Sequence, residues 1–152
     1  NLRQLIISDH RVVRDVYVDA IQSQVNTIYS QAQVKAWSAL AYLPQILDKP
    51  LKEGKGFVSC QNNQIEAFAV RYPMNRLALL YCRGRSTRLG HASNLLDRIE
   101  LEAKLDKQNY LVTEASLCSF ELLLKRGWIL KNPEKILIGG VDFTRYLMKK
   151  YL

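Results

Sequence analysis

Seven residues, RLALLYC (Arg76–Cys82), constrain this chain more than any others. The run is nearly all apolar, as a central strand covered on both faces requires. A basic turn follows, and after it a helix on which Ala92, Leu95, Leu96, Ile99 and Ala103 recur at helical spacing. Asp97, Arg98, Glu100 and Lys104 fall on its outer face. A buried strand leading through a short turn into an amphipathic helix implies a mixed α/β fold.

The rest of the chain extends that pattern. Leu2–Ile7 reads as a short strand, and Ser8 or Asp9 can cap a helix through Val13, Val16, Ala20 and Ile21. Ser30 and Gln33 make a capping box, with Val34, Trp37 and Leu40 on one face of a helix reaching about Tyr42. Pro44 and Pro50 mark a loop, with Lys52–Lys55 as polar filler. Gly56–Cys60 and Ile65–Arg71 flank a polar turn and read as a hairpin. A strand at Tyr110–Glu114 precedes a helix from Leu117 to Arg126, closed by Gly127. Trp128–Lys131 and Lys135–Ile138 are strand, broken at Asn132-Pro133, and Gly139-Gly140 turns the chain into a last strand, Val141–Met148. The order β-α-α-β-β-β-α-β-α-β-β predicts a single domain over residues 1–152. A chain of 152 residues can bury one core without staples.

Cys60, Cys82 and Cys118 are odd in number, far apart and without CxxC spacing, so neither a disulfide framework nor a metal site is expected. A reducing, cytoplasmic setting follows. The segment NLRQLIISDH has no signal-peptide character, and no apolar run approaches the ~20 residues that span a bilayer. The net charge of +8 attracts anions. The basic residues are nevertheless spread along the chain without a recognised nucleic-acid motif, so neither a membrane nor a nucleic acid is the expected partner.

The turn before the helix at Ala92 admits two readings. The first backbone N–H groups of a helix lack intrahelical partners and attract phosphate. Gly90 lets a ligand approach, Ala92 keeps the next turn open, and Arg83, Arg85 and Arg88 add charge, so a pyrophosphate would suit. The stretch is neither a Walker A loop nor a dinucleotide fingerprint. Alternatively, Gly90 simply ends a loop and the arginines are a solvated face.

The stretch TRLGHA (Thr87–Ala92) resembles the Q/R-x-x-G-x-G/A turn of the GNAT superfamily of N-acetyltransferases; Gly90 and Ala92 fit, whereas Thr87 departs and Arg88 stands beside it. LALLYC is similar to the family's preceding strand, NLLDRIELEA to its helix, TEAS and FELLLKRGW to its later segment, and FTRYLMKKYL to its final strand. YSQAQVKAW (Tyr29–Trp37) resembles the acceptor-side helices of a bacterial subgroup.

The resemblance implies a mostly antiparallel sheet of about seven strands, flanked by about four helices, with splayed central strands. It implies acetyl-coenzyme A as co-substrate and direct attack by the neutral amine of a small molecule or peptide. Pantetheine would pair with backbone at Leu80, Tyr81 and Cys82, where one freed N–H can stabilise an oxyanion. Thr87 and the backbone of Arg88, Leu89, Gly90, His91, Ala92 and Ser93 would hold the pyrophosphate, and Ser116 stands where the family often has Asn. Attack needs a base. Glu114 is the first candidate and Glu66 the second, although Glu114 equally suits a charge capping the next helix. Leu123 occupies the family's usual acid tyrosine position, leaving water, Tyr81 or Tyr110. Leu123 and Thr87 also motivate an alternative: a weak or inactive acyl-coenzyme A-binding or protein-interaction module.

Five further residues need a reading. His91 is either a phosphate donor or a solvent-facing turn residue, and His10 sits beside a helix cap. Cys82 suits packing rather than nucleophilic chemistry. Tyr29 and Trp37 are acceptor-pocket or core residues. The C-terminal strand offers an edge for a homodimer.

Overall fold

The computed structural model describes residues 1–24 and 27–152. Its strands are β1 (Leu2–Gln4), β2 (Lys55–Gln61), β3 (Gln64–Arg71), β4 (Leu77–Cys82), β5 (Tyr110–Ala115), β6 (Ile129–Ile138) and β7 (Val141–Tyr151). Its helices are α1 (His10–Gln22), α2 (Gln31–Ser38), α3 (Asp48–Glu53), α4 (His91–Leu105) and α5 (Phe120–Lys125). The strands form two antiparallel sheets, ordered β1-β2-β3-β4 and β5-β7-β6. β4 and β5 are the facing edges, joined by an isolated parallel bridge between Arg76 and Val112. The Val112 N–H donates to Asn75 O at 2.8 Å, and Thr113 Oγ1 donates to Leu77 O at 2.7 Å. The two strands share no ladder beyond this point, so they diverge towards Cys82 and Ala115.

A bulge accompanies the divergence. Arg71 faces Leu77 and Val70 faces Leu79, leaving Ala78 without a partner on β3. Ala78 and Leu79 therefore both turn to the side occupied by α1 and α2, while Leu77, Leu80 and Cys82 turn to the side occupied by α4. An extra residue of this kind bends its strand and sharpens the local twist.

The core lies on both faces. On one, Val13, Val16 and Tyr17 of α1 pack with Phe68, Leu79 and Phe143. On the other, Leu95, Leu96 and Ile99 of α4 pack with Trp128 and Met148. Each such side chain contributes roughly 1.5–3 kcal/mol on burial, which fixes both layers against the sheets. The expected strands, capping box and glycine turn are all present. Gln33 N–H donates to Ser30 Oγ at 3.1 Å and Ser30 N–H to Gln33 Oε1 at 2.9 Å. Gly139 and Gly140 have φ of +55° and +78°, as a two-residue hairpin turn demands.

Five local expectations change. Asp9 does not cap α1; its buried carboxylate accepts from Arg3 and from the Ile6 N–H at 2.9 Å, tying β1 to the helix start. The loop around Pro50 contains α3, because proline in a first turn lacks only an N–H that the helix leaves unused. The later helix is shorter than Leu117–Arg126, beginning at Phe120 after a turn in which Phe120 N–H bonds Ser116 O. β6 runs unbroken through Pro133, since it is an edge strand and a bulge at Lys131 absorbs the irregularity. β7 lies between β5 and β6, so from Tyr146 to Lys149 the C-terminal strand is paired on both sides and has no free edge there.

Candidate active site

The divergence of β4 and β5 opens into a cavity of about 230 Å³. Hydrogen-bond alternation decides what β4 presents to it. The Arg83 N–H donates to Glu66 O at 2.8 Å, so Tyr81 and Leu79 also direct their backbone groups towards β3. Leu80 and Cys82, between them, turn N–H and C=O to the open edge. Of the three residues expected to pair with a pantetheine, only Leu80 and Cys82 have backbone free for it. Tyr81 contributes its ring to the cavity wall instead.

The strand edge leads to the turn before α4. Arg88 has φ of +64° and Gly90 φ of +91°, both left-handed. Gly90 is the N-cap, and Asn94 N–H to Gly90 O at 3.0 Å is the first helical bond. The N–H groups of His91, Ala92 and Ser93 therefore have no intrahelical acceptor. A Cβ built on Gly90 would meet nothing within 4 Å, so the space beside Gly90 is open. Thr87, Arg88 and Leu89 are exposed, and the Thr87 hydroxyl donates to Gly84 O at 3.2 Å.

His91 is neither the solvent-facing residue nor the phosphate donor considered from sequence. Its ring is buried, with Nδ1 2.7 Å from Ser59 Oγ and Nε2 3.3 Å from Gln61 Oε1, pinning the first turn of α4 to β2. Nor do three arginines serve the turn alike. Arg83 Nε donates to Ile65 O at 3.0 Å, and Arg85 holds Glu66 at 2.9 and 2.7 Å. Arg88 has no hydrogen-bond or ion-pair partner among the described residues.

The carboxylates also separate. Glu66 is buried at a bulge in β3, where Arg85 and then the Ser86 hydroxyl hold its pKa down to about 2 against the cost of burial. So stabilised an anion takes up no proton near neutrality, which removes Glu66 as a base. Glu114 lines the cavity and accepts a two-pronged ion pair from Arg76, Nε and Nη2 both at 3.0 Å. It does not cap α5, which begins six residues later.

Aromatic side chains form much of the cavity wall. Burial pushes the Tyr81 phenol up to about 12, keeping it protonated, while its ring lies 4.6 Å from Tyr17 and 6.3 Å from Trp37. Tyr29 is buried, accepts from the Leu117 N–H at 2.9 Å, and is also raised to about 12 by burial. It meets Trp37 edge-on at 5.1 Å. Both therefore belong to the core and to the wall at once. Ser116 lines the cavity, 3.4 Å from Ser119 Oγ, and Leu123 closes it with an apolar side chain. Tyr110 lies at the joined end of β4 and β5, accepting from Asn75 Nδ2 at 3.2 Å. Burial raises the Cys82 thiol to about 11, with Glu66 and Asp19 adding to the shift, so it remains a thiol at neutral pH. His10 opens α1, away from the cavity.

Several cavity residues escaped the sequence reading, Arg76, Thr113 and Arg145 among them. Arg76 stood at the head of the apolar run, and the alternation of FTRYL places Arg145 on the face of Phe143. Neither signal says that the face is a cavity wall.

The splayed sheets, the bulged β4 and the glycine turn before α4 define the GNAT N-acetyltransferase fold. A GCN5-related N-acetyltransferase from Rhodopseudomonas palustris matches 100% of this chain and 95% of its own, with a TM-score of 0.93 at 22% identity. PaiA N-acetyltransferase from Thermoplasma acidophilum, solved in complex with coenzyme A, matches 100% and 98% with a TM-score of 0.79 at 16% identity. A ribosomal-protein-alanine N-acetyltransferase from Brucella melitensis matches 100% and 99% with a TM-score of 0.74 at 18% identity. No family model matches the chain, and no curated protein sequence does. Among the described residues no helix is long and apolar enough to cross a membrane.

Proposed function

We propose that the protein is an acetyl-coenzyme A-dependent N-acetyltransferase acting on a primary amine. The observation that carries this reading is the pairing of two features along one stretch of chain, the unpaired edge of β4 at Leu80 and Cys82 and the unsatisfied N–H groups that follow Gly90. Acetyl-coenzyme A supplies an acetyl group activated as a thioester. The residues present fit it. Leu80 and Cys82 offer backbone along the gap, and a freed N–H there stabilises negative charge developing on a carbonyl oxygen. His91, Ala92 and Ser93 offer N–H groups to a pyrophosphate, with the helix dipole and Arg88 adding positive potential. Ser116 adds a hydroxyl on the cavity side.

On the acceptor side, Tyr29 and Trp37 form an aromatic wall, and Glu114 is the carboxylate among the cavity's lining residues. An alkylammonium must lose a proton before it attacks. Glu114 takes that proton, directly or through one water. Tyr81, protonated and in the wall, is the donor available to a leaving thiolate, since Leu123 has no proton to give.

A second reading is an acyl-coenzyme A-binding module without turnover, favoured by Leu123 and by the engagement of Glu114 with Arg76. Calorimetry of acetyl-coenzyme A binding to the wild type and to Gly90→Glu tests both. Micromolar binding that the variant loses supports the cofactor site. Turnover of an amine panel, reduced in Glu114→Gln, then separates enzyme from binding module. No binding by the folded wild type sinks both readings.

A further inference from the structure

Resting on the acetyltransferase reading, we propose that the acceptor is a free amino acid with a bulky apolar side chain, its carboxylate held by Arg145. On β7, Phe143 and Arg145 alternate onto the same face, and both line the cavity. Glu114 on β5 stands opposite Leu147, two residues along from Arg145. Arg145 and Glu114 are therefore diagonal neighbours, about 7–8 Å apart between Cα atoms.

The two groups differ in what they have left to offer. Arg145 uses Nε on Glu134, directly across the ladder. Its two terminal nitrogens have no partner among the described residues, and the side chain is 37% exposed. A planar pair of unengaged N–H groups in a half-buried wall suits a carboxylate, which accepts both in parallel. Glu114 faces the opposite demand. Arg76 occupies one side of its carboxylate and leaves lone pairs for an amine. The cavity thus presents an anion site and an amine site on one floor.

The remaining wall selects the body of the acceptor. Trp37, Phe143 and Ile136 give it an apolar face, Gln45 and Thr144 are polar but uncharged, and Arg76 is spent on Glu114. A volume of about 230 Å³ falls below the ~300–1,000 Å³ of sites for drug-sized ligands, which favours one small molecule. A peptide N-terminus brings an amine but no carboxylate beside it, so Arg145 would have nothing to bind. A simple arylalkylamine has the same deficiency.

The chemical step balances with the groups named. The amine nitrogen's lone pair forms a C–N bond to the acetyl carbon, and the C–S bond breaks with its electron pair on sulfur. The ammonium gives one proton to Glu114 before it attacks, and the nitrogen gives its second to solvent once the C–N bond has formed. The thiolate takes one from solvent, or from Tyr81, which solvent then reprotonates. The products are the N-acetyl amino acid and coenzyme A.

The test compares L-phenylalanine with 2-phenylethylamine, which differs by the carboxylate alone. Binding of each to the protein is measured by calorimetry, and kcat and KM for each with acetyl-coenzyme A. L-phenylalanine is expected to bind and to show kcat/KM about tenfold to a hundredfold higher, the range of one charge-assisted two-pronged contact. In Arg145→Met the ratio of kcat/KM between the two amines falls towards one, chiefly through a raised KM for L-phenylalanine, while the protein still binds acetyl-coenzyme A. Arg145→Lys, keeping the charge without the fork, falls between. Equal use of the two amines by the wild type overturns the inference. So does failure of L-phenylalanine to bind a protein that still binds acetyl-coenzyme A, which leaves the acetyltransferase reading standing. A wild type that binds neither overturns both.

Discussion

Replacing Gly90 by alanine separates a backbone cost from a steric one. Gly90 has φ of +91° and ψ of 0°, a conformation an L-residue with a Cβ enters at roughly 1–2 kcal/mol. The new methyl group meets nothing within 4 Å, so no packing term adds to that figure. Gly90→Ala should therefore lose about 1–2 kcal/mol, and Gly90→Asn less, because asparagine tolerates the left-handed region. In urea the midpoint should fall by roughly 0.5–1 M with an unchanged slope. Gly54 is the control. Its added Cβ would lie 2.5 Å from Pro50 O and 2.8 Å from Arg71 O, both backbone atoms that cannot step aside. Gly54→Ala should cost at least twice as much as Gly90→Ala. The reasoning is refuted if Gly90→Ala unfolds the protein, or if Gly90→Ala and Gly54→Ala are equally costly. It is refuted from the other side if Gly90→Ala is neutral while Gly90→Asn destabilises.

Other outcomes follow from the same contacts. Ser59→Ala leaves the buried Nδ1 of His91 without its 2.7 Å partner. It should cost about 1–3 kcal/mol by denaturant titration and weaken acetyl-coenzyme A binding, because the first turn of α4 loses its anchor. Glu66 has a folded pKa of about 2 against an ordinary value of 4.5, so its stabilising contribution is complete above pH 4.5. That contribution is lost as pH falls from 4.5 towards 2, and an acid-unfolding series should show a flatter decline over this window in Glu66→Gln. Ile99→Ala, at a fully buried position between α4 and the sheet, should lose about 2–5 kcal/mol in chemical denaturation.

Much of this molecule is legible in its sequence because the signals are local. The period of Leu95, Leu96 and Ile99 marks a buried helix face whatever it packs on, and Ser30 with Gln33 closes a capping box within four residues. Gly90 before α4 and Gly139-Gly140 before β7 announce turns through the φ values only glycine enters freely. The order of these elements resembles the acetyltransferase pattern closely enough to predict the splayed sheet. Where a strong local signal is absent, as in the short helix at Pro50, the reading lapses.

The tertiary structure alone decided which polar groups are spent and which are available. Glu66 and Glu114 look alike in sequence, but pairing places Arg85 and Ser86 on the first and Arg76 on the second. His91 follows a basic turn in the chain, yet its ring points into the fold because Ser59 of β2 lies beneath it. The bulge at Ala78 shifts the phase of β4, so the backbone of Leu80 and Cys82, not that of Tyr81, faces the gap. Such choices depend on strand pairings between residues tens of positions apart. A hydrogen bond or ion pair is set by a distance of about 3 Å, and a single sequence records residue types and local periodicity, not those distances.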